Sequence, residues 1–129
     1  MPKKSRMPTT QLRFVRYSGE LGELRRASRR STGCNFNVWL GRNENSSDFS
    51  EPKVTIKPSS GFSCVVTRNR ARRRTRGCIM ELREEFEPGL WYLIEFKPGV
   101  ESENYQLLVN ELKETLKRVR TCNGNHLLL

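Results

Sequence analysis

The chain has 129 residues, with 24 Lys and Arg against 14 Asp and Glu, a formal net charge of +10 and a pI near 10.0. That length suits one domain, and 35% hydrophobic residues provide for one modest core. A mean hydropathy of −0.71, with no run approaching the roughly 20 apolar residues that cross a bilayer, excludes a hydrophobic membrane span.

Residues 1–10 are charged, carry Pro2 and Pro8, and read as a disordered basic N-terminus with little to bury. They lack the apolar stretch of a secretory signal, which places the chain inside the cell. A single β-rich domain is expected over 11–122, followed by a tail at 123–129. Its first strand spans Gln11–Tyr17, and a second follows the Ser18-Gly19 turn at Glu20–Arg25. A Ser/Thr-rich loop ending at Gly33 then carries Arg25, Arg26, Arg29 and Arg30.

Cys34–Leu40 alternates cleanly, with Cys34, Phe36, Val38 and Leu40 on one face and Asn35, Asn37 and Trp39 on the other. After a polar loop at 41–52, Val54 and Ile56 mark a strand. A turn at Pro58-Ser59-Ser60-Gly61 joins it to a partner strand, Phe62–Thr67. The connection after that strand holds Arg68, Arg70, Arg72, Arg73, Arg74 and Arg76. Gly77–Arg83 puts Cys78, Met80 and Leu82 on one face, and Glu87-Pro88-Gly89 forms a turn. Leu90–Phe96 is apolar on both faces and reads as a strand covered on both sides.

The period then changes from two to 3.6. Ser102 caps a helix over about 102–121, whose Tyr105, Leu108, Val109, Leu112, Leu116 and Val119 form one apolar stripe. Glu101 and Glu103 at its start and Lys117, Arg118 and Arg120 at its end complement the helix dipole. The fold class that emerges is α+β: six or seven antiparallel strands in a bent sheet or barrel, capped by one C-terminal amphipathic helix.

The strand Leu90-Trp91-Tyr92-Leu93-Ile94-Glu95-Phe96, the Pro98-Gly99 turn and the helix from Glu103 to Val119 resemble the end of the pleckstrin-homology-like superfold. That resemblance implies a seven-stranded bent barrel under a terminal helix, and a protein-interaction module. Phe62–Phe96 with the helix is also similar to small single-stranded nucleic-acid binders built on a curved four-stranded sheet.

The ten clustered arginines account for the whole net charge, because 24 − 10 leaves 14 basic residues against 14 acidic ones. Concentrated charge of one sign attracts polyanions, and arginine rather than lysine suits forked bonding to phosphate. Both clusters are therefore assigned to nucleic-acid backbone, DNA or RNA, with Trp39 beside Asn35 and Asn37 as an outward stacking residue. Basic runs also serve as nuclear-import addresses, so the chain is expected in the nucleus, with a nuclear protein complex as an alternative partner and a membrane surface disfavoured. Ser28 and Thr32 each follow an arginine pair by two positions, as in acceptor sites of basophilic kinases, where phosphate would offset the patch.

Catalysis and cofactors find no support. His126 is the single histidine, and no Gly-rich phosphate loop or nucleophile–base pair stands out. Cys34, Cys64, Cys78 and Cys122 lack the close pairing of zinc ligands and read as buried free thiols, so no metal is assigned. The expectation is a non-enzymatic nucleic-acid-binding module.

Overall fold

The computed structural model describes residues 12–16, 29–42 and 51–127, and the side chains of all of these except 42 and 122–127. The basic N-terminus at 1–10, the strand at 20–25, Arg25, Arg26 and Ser28 lie outside the described residues.

In chain order the elements are β1 (Arg13–Phe14), β2 (Arg29–Thr32), β3 (Phe36–Arg42), β4 (Lys53–Pro58), α1 (Val65–Glu81), a 3-10 turn (Arg83–Glu85), β5 (Leu90–Phe96) and α2 (Tyr105–Leu127). The strands form one five-stranded sheet in the order β1-β4-β5-β3-β2. β1 and β5 both run parallel to β4, whereas β3 is antiparallel to β5 and to β2. A five-stranded mixed sheet with two helices replaces the expected antiparallel barrel, and the pleckstrin-homology-like resemblance is overturned with it.

The register shows why these strands assemble. Leu40, Tyr92, Val54 and Phe14 form one cross-strand row; Val38, Ile94 and Ile56 form the next; Phe36, Phe96 and Pro58 form a third. All three rows belong to one face, and both helices pack on it. The apolar stripe of α2 (Leu108, Val109, Leu112, Leu116, Val119) joins Ala71, Cys78 and Ile79 of α1 in the same core. β5 lies at the sheet centre, where an apolar strand of this kind belongs. On its opposite face Leu93 and Trp91 form a smaller cluster with Trp39, against which Val15 packs.

Two strands are expected where the ends of α1 lie: Val65–Thr67 of Phe62–Thr67 and residues 77–81 of Gly77–Arg83 are helical. The alternation of Cys78, Met80 and Leu82 suggests a strand, but Met80 is exposed. The buried set Ala71, Thr75, Cys78, Ile79 and Leu82 has helical spacing. Arginine and alanine are also strong helix formers. Topology demands the helix as well, since parallel neighbours such as β4 and β5 need a crossover of a dozen or more residues. α2 begins later than expected, at Tyr105. The Leu107 N–H donates to Asn104 Oδ1 at 3.1 Å, so Asn104 rather than Ser102 caps it. The helix continues to Leu127, past Asn123-Gly124.

Polar contacts pin the β2–β3 hairpin to α2. Asn35 donates its backbone N–H to Glu111 Oε2 (2.7 Å) and its Nδ2 to Oε1 (2.8 Å). A Cβ on Gly33 would lie 2.6 Å from that carboxylate, so any larger residue there would displace the Glu111 side chain from this position. Lys97 Nζ donates to the Gly33 carbonyl at 2.7 Å, and Arg118 reaches Ser31 Oγ and the Thr32 carbonyl. Two residues further along α2, Arg120 donates to the Glu85 carbonyl and pairs with its carboxylate at 3.3 Å.

Leu112 is fully buried where α2 meets the sheet. Leu112→Ala should therefore lower unfolding free energy by about 2–5 kcal/mol, read as a fall in the urea midpoint with little change in its slope.

Candidate nucleic-acid interface

The second arginine cluster sits on a helix rather than a flexible connection, and this gives each guanidinium a fixed direction. The buried stripe takes the side of α1 that faces the sheet. Arg70 and Arg73 point away from it and are exposed, with Arg68 half-buried. Arg72, Arg74 and Arg76 flank the stripe and lie over aromatic rings. The Arg72 guanidinium is 5.6 Å from the Phe96 ring centre, that of Arg74 5.9 Å from Tyr105, and that of Arg76 4.0 Å from Phe14.

Among the described residues none of the six pairs with a carboxylate; the ion pairs there are Lys57–Glu95 and Arg120–Glu85. Arg68 and Arg72, Arg70 and Arg74, and Arg72 and Arg76 are each four apart, so like charges face one another along the helix. The first turn of α1 contains no acid either. The surface is cationic and uncompensated, so it can neutralise a polyanion without first breaking internal bridges.

The two described members of the first cluster, Arg29 and Arg30, do not join this surface. Arg30 pairs in register with Trp39, and its guanidinium lies 5.3 Å from that ring on the sheet face away from the helices. Arg29 opposes Leu40 and so belongs to the helix-covered face. Thr32 is exposed on β2, its carbonyl held by Arg118. The sheet thus separates Arg30 from α1.

Trp39 is not the outward platform its alternation suggests. It shares a face with Asn37 but is only 5% exposed, packed with Trp91 and Leu93. The neighbouring amide is occupied too, since Asn37 Nδ2 donates to Glu95 Oε1 at 2.8 Å and Lys57 approaches the other oxygen at 3.5 Å. A contribution the sequence reading missed is Lys53, 5.2 Å from the Trp91 ring on this second face. The signal was available in the alternation of Lys53 and Lys57 with Val54 and Ile56.

The cysteines divide. Cys78 is buried, and that burial pushes its thiol up to about 11. Cys34 and Cys64 are exposed, contrary to the expectation of buried thiols. At the start of α1 the backbone N–H groups of Thr67 and Val66 lower the Cys64 pKa. Among the described residues no group of three His, Cys, Asp or Glu could hold a metal ion, and no helix is long and apolar enough to cross a membrane.

A sequence profile for Ribonuclease P matches residues 12–120, nearly the whole sheet-and-helix body. The chain belongs to the Ribonuclease P protein family. Solved structures agree on the fold. The RNase P protein of Staphylococcus aureus superposes with a TM-score of 0.67 at 14% identity, covering 83% of this chain and 94% of that one. An S. aureus mutant described as defective in mRNA degradation activity gives 0.70 at 13%, covering 83% and 87%. The RNase P protein of Thermotoga maritima gives 0.65 at 15%, covering 78% and 92%. Among curated proteins no sequence matches.

Membership of the Ribonuclease P family corrects three expectations and sharpens a fourth. The protein is tied to an enzyme after all, since the family is that of a protein subunit of an RNA-processing ribonuclease. The nuclear location is overturned, because the structural relatives are bacterial. The pleckstrin-homology-like partner module goes with the fold that suggested it. The nucleic acid is RNA.

The contrast between thiols gives a direct check on the geometry of α1. In the folded protein at pH 8, iodoacetamide should alkylate Cys64 and leave Cys78 unlabelled until denaturant is added, as read by peptide mass spectrometry. Equal labelling of both would contradict the orientation of the helix.

Proposed function

We propose that this protein is the RNA-binding subunit of a ribonuclease P, and that it holds RNA through phosphate contacts from the open face of α1. The observation that carries this reading is the set of six arginines on one helix, without a carboxylate partner among the described residues. Arg70 and Arg73 supply the central contacts, with Arg68, Arg72 and Arg76 at the margins. Guanidinium groups fixed on a helix bind phosphate oxygens in a forked geometry and lose little freedom in doing so. Of the first cluster, Arg30 serves RNA on the opposite side of the sheet. The protein contributes binding and placement of RNA to the ribonuclease.

If about six phosphates are neutralised, log K should fall with log salt at a slope of about −4 to −5. Mobility shifts with a ribonuclease P RNA transcript at several KCl concentrations measure it. Arg70→Glu with Arg73→Glu should weaken binding about 100-fold at low salt and flatten the slope by about two. An affinity independent of salt, or unaffected by that double substitution, would remove the reading.

A further inference from the structure

The six arginines of α1 are not equivalent. Arg74 is half-buried, and its Nη1 donates to the carbonyl of Val100 at 3.0 Å. Val100 is itself fully buried in the turn before α2. The Arg74 guanidinium also lies over the ring of Tyr105, the first residue of α2. One helical turn further along α1, Gly77 leaves room for the same ring, since a Cβ there would lie 3.0 Å from the Tyr105 hydroxyl. Arg74, Gly77, Val100 and Tyr105 thus make a joint between the two helices.

The joint lies at a border. Arg70 is four residues before Arg74 and faces the same side of the helix, and Arg73 is the next residue round the open face. The stripe beneath α1 begins with small residues, Ala71 and Thr75, so side-chain ties at its flanks add to what fixes the rotation of the helix. The Arg74 guanidinium makes one such tie. The fork suits the task, because one edge bonds the carbonyl while the plane covers the ring; a lysine offers a point charge only.

We infer that Arg74 is a positioning residue and not an RNA ligand: through Val100 and Tyr105 it sets the rotation of α1 that presents Arg70 and Arg73 to RNA. The inference rests on the RNA-binding reading above and assigns a different role to one member of the cluster.

The test uses the full-length protein and the ribonuclease P RNA transcript, below the melting temperature of every variant. Arg74→Lys keeps the charge but loses the fork, and about a fivefold loss of affinity is expected whether the fork holds Val100 or a phosphate; Tyr105→Leu and arginine labelling separate the two roles. Tyr105→Leu changes no charge and should cost about as much, and the double variant should lose little more than either, because coupled partners are not additive. Arginine labelling with phenylglyoxal gives a second readout. Arg74 should resist modification with and without RNA and become reactive in Tyr105→Leu. Arg70 and Arg73 should label freely and be protected by RNA. Additive losses, no loss in Tyr105→Leu, or an Arg74 that labels readily until RNA is added would each overturn the inference while leaving RNA binding intact. Wild-type protein without affinity for the RNA would instead remove the RNA reading and this inference with it.

Discussion

A helix of 17 residues carrying six arginines must be held by something other than its own surface. Three like-charge pairs at four-residue spacing cost it roughly 1 kcal/mol together, and it has no acid in its first turn to offset them. What holds α1 is a single buried stripe, Ala71, Thr75, Cys78 and Ile79, seated on the sheet beside α2. Burying Ile79 and the neighbouring Leu82 contributes roughly 1.5–3 kcal/mol each, enough to outweigh the repulsion. The rest of the architecture serves that seat. β5 must be central to hold Tyr92, Ile94 and Phe96 beneath the helices, and α2 must lie alongside to close the core.

Holding the charges in place makes them useful. A flexible loop with the same residues would lose conformational freedom on meeting phosphate, whereas α1 has already lost it on folding. The aromatic rings beside the stripe contribute in the same way, since Phe96, Phe14 and Tyr105 accept the guanidinium planes of Arg72, Arg76 and Arg74 without neutralising them. Cations held by π faces keep their charge. Cations held by carboxylates do not, and among the described residues α1 has no such pair.

The two carboxylates most engaged in the structure stabilise the scaffold and leave the interface alone. Glu111 fastens the β2–β3 turn to α2, and Glu95 accepts from Asn37 Nδ2 and pairs with Lys57 on the far face of the sheet. This division explains how a near-neutral body and a strongly cationic helix coexist in one chain. It also explains how the fold is shared with bacterial RNase P proteins at 13–15% identity. Layer packing requires apolar rows in register rather than particular residues.

Much of the result was legible along the chain. The charge excess and its concentration in arginines are simple properties of composition, and a polyanionic partner follows from them. β5 was readable from its continuous apolar run and α2 from its unambiguous 3.6-residue period. α1 was misread because Cys78, Met80 and Leu82 alternate over a stretch too short to tell period two from 3.6, and because a dense arginine run looks like a loop. Cys64 and Trp39 were misassigned for a related reason: local alternation specifies that two faces exist without saying which is covered. Strand direction was beyond reach altogether, since an apolar strand pairs parallel or antiparallel with the same side chains; β5 lies parallel to β4 because the chain crosses over through α1, and β1 lies parallel to β4 on its other edge. What the amino-acid order determined by itself was therefore the kind of ligand and the strongest periodic elements, which depend on charge and spacing within a few residues. Tertiary structure alone decided which arginines of α1 face outward, which are tied down and on which side of the sheet Arg30 lies, because those depend on contacts between segments far apart in the chain.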